Sequence, residues 1–486
     1  MSVTSLACLL PVTSPSWRGA DLFYPNPPMR IPSLSLLGLL GSFCAGVAAP
    51  ADKAAPGASR NFDRLAIAAE IVVGGVTLHP EKLPTGLKLD ARLGLVVGAV
   101  VDGVVVHRTG TRILEPRGLK TPSGDYLVMF AEGEHYANNK GARKNNAMMA
   151  SRSTDGGRTW SEPREAFDID FSQHGFIPFV PRGTKRIYAF GTQPNPDQGY
   201  DWKDGKQENA PIGFRWSDDD GRTWSATTFI KPENDPGYMG MSVMRMTETD
   251  AGTWLLGTHN ADWSVKPFTT SQYLLRSTDR GASWQLLPGK RPAGWAVEKF
   301  KRMDEARPIN LGDGKVLLMS RTPAGSLFIS RSSNDGRTWT DFTPTSLVHP
   351  GAPPMLFHLG DGRTLIAFHH NRVPRGQDEK LPEGSIDPQA ENMKVRSELW
   401  FSTSRDEGRT WSEPRFLLAN AAAPSLKSNA WNHQCSYLDM FMDGDRLHLF
   451  LPHRWQQVLH LTLKEADLGG LPTKARLKEI TGSAKP

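Results

Sequence analysis

The chain has 486 residues with Lys+Arg 57 against Asp+Glu 51, a formal charge of +6. Gly 46 and Pro 37 describe a turn-rich globular protein, which excludes a disordered chain and a bundle of membrane spans. Four arginines (Arg158, Arg222, Arg337, Arg409) recur at one turn position and there is no basic helix or Lys/Arg run, so the positive charge does not point to nucleic acid. It is compatible with an acidic glycan.

In chain order the first element is a leader, residues 1–49. From Met29 the sequence reads Met29-Arg30-Ile31-Pro32, an apolar stretch from Leu34 to Val47, then Ala48-Ala49-Pro50. A short charged start, an apolar run and a small-residue cleavage site predict a signal peptide. Initiation at Met29 accounts for the residues before it. The apolar run is too short for a stable membrane anchor, so export to the periplasm or the exterior is expected. Cys8 and Cys44 leave with the leader and Cys435 alone remains, so no intramolecular disulfide is available. Residues 50–90 read as a linker and an N-terminal segment.

An eight-residue pattern, Ser-x-Asp-x-Gly-x-Thr-Trp with small variations, then occurs five times. The copies are Ser153 to Trp160, Ser217 to Trp224, Ser277 to Trp284, Ser332 to Trp339 with Asn334 in place of Asp, and Ser404 to Trp411. Their central residues lie 64, 60, 55 and 72 positions apart, the length of one four-stranded propeller blade. In such a box the Asp accepts from backbone N–H groups of its own turn, Gly takes positive φ and Trp packs between sheets. The box is read as structural. After Trp411 one more hairpin follows, Leu438 to Met442 and Arg446 to Leu451, without a box. The β-rich stretch Leu93 to His107 is expected to supply the outer strand of that last blade. The result is an all-β, six-bladed β-propeller over residues 91–466, with residues 467–486 as a Lys-rich surface tail.

Alignment of the blades on their turn glycines selects inward-facing positions. Glu115 and Arg117 lie nine and seven residues before Gly124, as Glu305 and Arg307 lie before Gly314. Seven residues after the turn glycine come His259, Arg321 and His369 in three consecutive blades. His370, His174, His433 and His135 fall near other strand ends. Histidines on such a rim suit general acid–base chemistry near neutral pH, and each is equally a candidate for a hydrogen-bonded structural role. No His-x-His or His-Glu-x-x-His spacing is present, so no metal site is assigned and no cofactor is expected. Counting back nine from Gly444 reaches Cys435, read as a buried packing residue, with Tyr437 two further on and on the same strand face.

By its boxes and by two spaced pairs the chain resembles the sialidase (neuraminidase) superfamily from about residue 105 to 460. In that family a Glu precedes an Arg by 16 residues across a Gly turn, as Glu305, Gly314 and Arg321 stand here, and an Arg lies ten before a box Asp, as Arg396 precedes Asp406. The resemblance implies that Arg321 and Arg396 bind a substrate carboxylate and that Glu305 assists a nucleophile, for which Tyr437 is the tyrosine on offer. The family's Arg-Ile-Pro motif occurs only in the leader; Arg112 or Arg117 in Arg112-Ile113-Leu114-Glu115-Pro116-Arg117 takes its place. The family's acid/base Asp has no counterpart in Lys144-Asn145-Asn146-Ala147-Met148-Met149, and histidine is expected to replace it.

The sequence therefore reads as a secreted sialidase-like glycoside hydrolase removing a terminal acidic sugar, of exo-α-sialidase type. Its catalytic candidates are Glu305, Tyr437, His259 and His369, and its substrate-binding candidates Arg321, Arg396, Arg117, Arg112, Glu115 and Arg307. A polysaccharide lyase acting on uronate glycans and a non-catalytic carbohydrate-binding propeller are the alternatives.

Overall fold

Successive blades arise from runs of alternating apolar residues punctuated by glycine turns. The computed structural model describes residues 62–133, 146–169, 174–193, 209–265, 267–374 and 392–482. The leader with its two cysteines, His135 and Lys144-Asn145 lie outside the described residues.

Six blades of antiparallel strands surround one axis. Blade 1 comprises Arg112–Lys120, Tyr126–Gly133, Ala147–Ser153 and Arg164–Asp168, each strand paired with the next. Blade 4 repeats this with Asp304–Gly312, Lys315–Arg321, Ser326–Ser332 and Thr343–Val348. The first strands of consecutive blades are Arg112–Lys120, Ile177–Phe179, Ser242–Glu248, Asp304–Gly312, Met355–His358 and Asp439–Asp443, and they touch one another in a closed ring. These inner strands line the channel. Between blades the faces are filled by apolar side chains such as the fully buried Trp254, which packs against Phe179, Tyr188 and Phe190 at ring separations of 5.5, 5.2 and 6.0 Å. Burying one such side chain contributes roughly 1.5–3 kcal/mol.

The ring closes through Asp102–Arg108, which pairs with Gln457–Lys464 of blade 6 and covers an edge that would otherwise be open. Only the second half of the stretch expected for this purpose is used. Leu95–Gly98 pairs instead with Arg415–Asn420, and Leu87–Asp90 adds beyond it, so blade 5 has six strands. A turn closed by Val101 N–H donating to Gly98 O at 2.9 Å carries the chain from one blade to the next. The C-terminal segment is likewise not all surface. Thr473 caps the helix Lys474–Ile480, whose fully buried Leu477 joins Val73, Trp400 and Phe416 in a cluster behind blade 5.

The five boxes are the turns between third and fourth strands, and all have one construction. In the third, Asp279 Oδ1 accepts from Ser283 N at 2.9 Å, its Oδ2 from Ser283 Oγ at 2.6 Å, and Ser277 Oγ accepts from Gly281 N at 2.8 Å. Gly281 has φ +90°, the conformation that L side chains resist. Asn334 does the same work through its carbonyl oxygen and donates its amide to Thr338 Oγ1 at 2.8 Å. The Asp335 N–H bonds Gly314 O, so the boxes share an end of the molecule with the turn glycines. Any residue at the far ends of the inner strands therefore stands remote from them.

Candidate functional site

At that far end the inner strands are bulged, and the bulges aim side chains into the channel. In blade 4, Asp304 pairs with Arg321 and Arg307 with Met319, leaving one extra residue on the inner strand. Blade 1 has the same irregularity between Leu114 and Arg117. Glu305 and Glu115 sit in these bulges with φ +55° and +47°. Tyr437 has φ +63° and lies two residues before Asp439, which pairs with Phe450 as Arg307 pairs with Met319. Left-handed conformations in residues other than glycine cost about 1–3 kcal/mol and persist only where the surroundings enforce them. Tyr437, Glu305 and Glu115 are thus equivalent positions of three blades. The nine-residue count reached Cys435 because the inner strand of blade 6 runs to its turn glycine in two fewer residues. Cys435 itself is fully buried, and burial pushes its thiol pKa up.

Tyr437 Oη donates to Glu305 Oε1 at 2.7 Å. Glu305 Oε2 accepts from Arg321 Nη1 at 2.8 Å, and Arg321 Nε is 3.3 Å from Asp304 Oδ1. The second oxygen of Asp304 accepts from Arg302 Nε at 2.9 Å. All five side chains except Arg302 are at most 7% exposed. Burial disfavours the charge on Arg321, but the carboxylates of Glu305 and Asp304 outweigh it and raise its pKa. Burial and the neighbouring Glu305 raise that of Tyr437, so the phenol is neutral at rest. Arg396 lies within electrostatic range of Arg321 and Glu305. Burial and then Arg321 lower its pKa to about 10, and its Nη2 donates to Gly351 O at 2.5 Å.

Two histidines stand on this wall. His174 Nδ1 is 2.8 Å from Glu115 Oε1, and Glu115 is held below the usual carboxylate range, His174 and Arg117 outweighing its burial. His259 has its Nδ1 3.5 Å from both Glu305 N and Ser242 Oγ; burial keeps it neutral, with a pKa of about 4, against Asp304 and Glu305. His369 is not brought to this group. Its ring nitrogens are 3.2 Å from Val348 O and 3.2 Å from Ser402 Oγ, so the shared register delivers His259 and Arg321 but turns His369 into the blade. Arg112 lies over the rings of Trp455 at 3.9 Å and Trp431 at 5.1 Å. Arg117 donates to Tyr437 O at 3.5 Å, and Arg307 faces the channel further towards the box end. Sequence reasoning passed over Asp304 and Arg302, which no repeat marks, and Arg245, which the same count from Gly252 would have found. Among the described residues no group of three or more His, Cys, Asp or Glu is arranged to hold a metal.

A six-bladed ring with box turns at one end and a buried charged group at the other is a propeller of the sialidase superfamily. The BNR repeat-like domain family matches residues 174–449, more than half of the chain, and the chain belongs to that family. It is 29% identical over 332 residues to a sialidase of Micromonospora viridifaciens, covering 60% of this chain and 44% of that protein. To a sialidase of Bacteroides fragilis (strain YCH46) it is 25% identical over 308 residues, covering 59% and 50%. The chain thus spans about half the length of the curated relatives it matches. Among solved structures, the Hadza microbial sialidase Hz136 superposes with a TM-score of 0.53 at 18% identity, covering 76% of this chain and 69% of that one, a likeness of fold. No helix of the described residues is long and apolar enough to cross a membrane.

Proposed function

We propose that the protein is an exported glycoside hydrolase that releases a terminal acidic sugar, of exo-α-sialidase type, with Tyr437 as nucleophile and Glu305 as its base. The observation that carries this reading is the buried 2.7 Å hydrogen bond from Tyr437 Oη to Glu305 Oε1, with Arg321 on the other carboxylate oxygen. When the sugar bears a carboxylate at its anomeric carbon, a carboxylate nucleophile would be repelled by it. A neutral phenol that loses its proton only as it attacks avoids that repulsion. Arg321 and Arg396 supply planar guanidinium groups suited to hold the carboxylate.

In the first step the Tyr437 oxygen bonds to the anomeric carbon and its proton passes to Glu305. The glycosidic C–O bond breaks, and the leaving oxygen takes a proton from His174, whose partner Glu115 supports the charged imidazole. Water then attacks the glycosyl-tyrosine, its proton returns to His174, and Tyr437 leaves with the proton held by Glu305. His174 stands in for the missing Asp. The test is incubation of wild type, Tyr437→Phe and Glu305→Gln with an aryl α-sialoside and, separately, with uronate polysaccharides. Release of free sugar by wild type and its loss in both variants supports the reading. Unsaturated products absorbing in the ultraviolet would establish a lyase instead, and binding without turnover a carbohydrate-binding propeller.

A further inference from the structure

Two residues beyond the Tyr437–Glu305 pair along the inner strands, towards the box end, the channel holds charges that this reaction does not use. Arg117, Arg245 and Arg307 each precede their blade's turn glycine (Gly124, Gly252, Gly314) by seven residues, on the inner strands of blades 1, 3 and 4. Asp439 takes the matching place on blade 6. Its oxygens are already engaged, one 3.3 Å from Arg245 Nη1 and the other accepting from Gly118 N at 3.1 Å. Glu115 is engaged by His174 at 2.8 Å and Arg117 at 3.5 Å.

Arg307 is left over. It is 1% exposed, and none of its three guanidinium nitrogens has a hydrogen-bond partner among the described residues. Its guanidinium carbon stands 5.3 Å from the centre of the Phe357 ring, which Arg245 also faces, at 4.9 Å. Burial and the like charge of Arg117 both push the pKa of Arg307 far down, the signature of a cation short of counter-charge. Glu115 is shared with His174, so Asp439 is the one carboxylate that the three guanidinium groups have to themselves, and positive charge is in excess.

We propose that Arg307, with Arg117 and Arg245, forms a binding site on the propeller axis for a small inorganic monoanion such as chloride. Guanidinium groups offer donors and no acceptor, so an anion satisfies them where a further protein donor could not. A compact negative charge offsets part of the excess. A weakly hydrated halide suits the weakly hydrated guanidinium, and the side chain of Arg245, 33% exposed, opens the site to solvent on one side. Arg245 and Arg307 take no part in the Tyr437–Glu305–Arg321 hydrogen bonds, and occupation of the site is read without any sugar present.

The test is the melting temperature of the full chain at constant ionic strength and sodium concentration, in chloride or bromide against gluconate. Halide should raise Tm saturably, by on the order of 2 °C at tenfold excess over Kd, and Arg307→Met should abolish the rise. A Tm independent of the anion, or an equal rise in Arg307→Met, overturns the site. Should that variant not fold, bromide-soaked crystals of the wild type decide: an anomalous peak against the Arg307 guanidinium supports the site, and its absence there overturns it.

Discussion

Glu305 accepts from a phenol on one oxygen and a guanidinium on the other, so its two neighbours can be separated by substitution. Arg321→Lys keeps the charge but loses the planar fork, and should weaken binding of an acidic monosaccharide by about 1.5–3 kcal/mol, the range for a charged hydrogen bond. Glu305→Gln removes the negative charge beside Arg321, so anion binding should hold or tighten. Turnover should fall about 10²–10⁴-fold, because the amide cannot take the Tyr437 proton. Calorimetry on both variants beside a rate assay checks the pair; unchanged binding in the first together with unchanged rate in the second would make these charges channel scaffolding. Cys435 gives a sharper contrast. It lies two residues from Tyr437, yet it is fully buried and burial raises its thiol pKa, so alkylation of the native protein should be slow and should track unfolding. Rapid modification with loss of activity would identify it as a site residue instead.

The box turn is an element whose hydrogen bonds are almost all internal, so its removal should act on stability alone. In Asp279→Ala, the backbone N–H of Ser283 and the Ser277 and Ser283 hydroxyls lose their acceptor. Thermal unfolding should show a loss of about 1–3 kcal/mol with turnover retained; a selective loss of turnover would place the boxes in the chemistry. The same locality made the boxes legible, because Ser, Asp, Gly and Trp within eight residues determine the turn whatever surrounds it. Closure of the ring and the inward phase of Glu305, Arg321 and Glu115 were legible from spacing for a similar reason. The equivalence of Tyr437 with Glu305 was not: blade 6 reaches its turn glycine two residues sooner, and no local pattern records that. Nor does spacing show that His369 turns into its blade, or that Leu95–Gly98 serves blade 5, since partners distant in sequence decide both.

Among the described residues, seven histidines buried in the blades share one electrostatic fate. Burial lowers His259, His369 and His448 to about 4 and His370 and His460 to about 3. His349 and His453 are also pushed down, by burial first and by neighbouring cations or imidazoles second. Most are locked by neutral-form hydrogen bonds: His370 between Glu398 O at 2.8 Å and Ser436 Oγ at 3.2 Å, and His448 against His460 at 3.0 Å. In the unfolded chain each returns to a pKa near 6.5. Between that value and the folded one the unfolded state binds protons that the native state does not, so stability is fully present above about pH 6.5 and falls as the pH drops towards 4. Each such histidine steepens the fall by up to about 1.4 kcal/mol per pH unit. The carboxylates held below their ordinary range, Glu115 and Asp406 among them, act only at lower pH, because their unfolded values lie near 4. The expected outcome is a steep decline in Tm from pH 7 to pH 5, accompanied by uptake of several protons on unfolding as measured by calorimetry in buffers of different ionisation heat. A Tm that is level between pH 7 and pH 5, with no proton uptake, would mean that the interior accommodates the imidazolium forms.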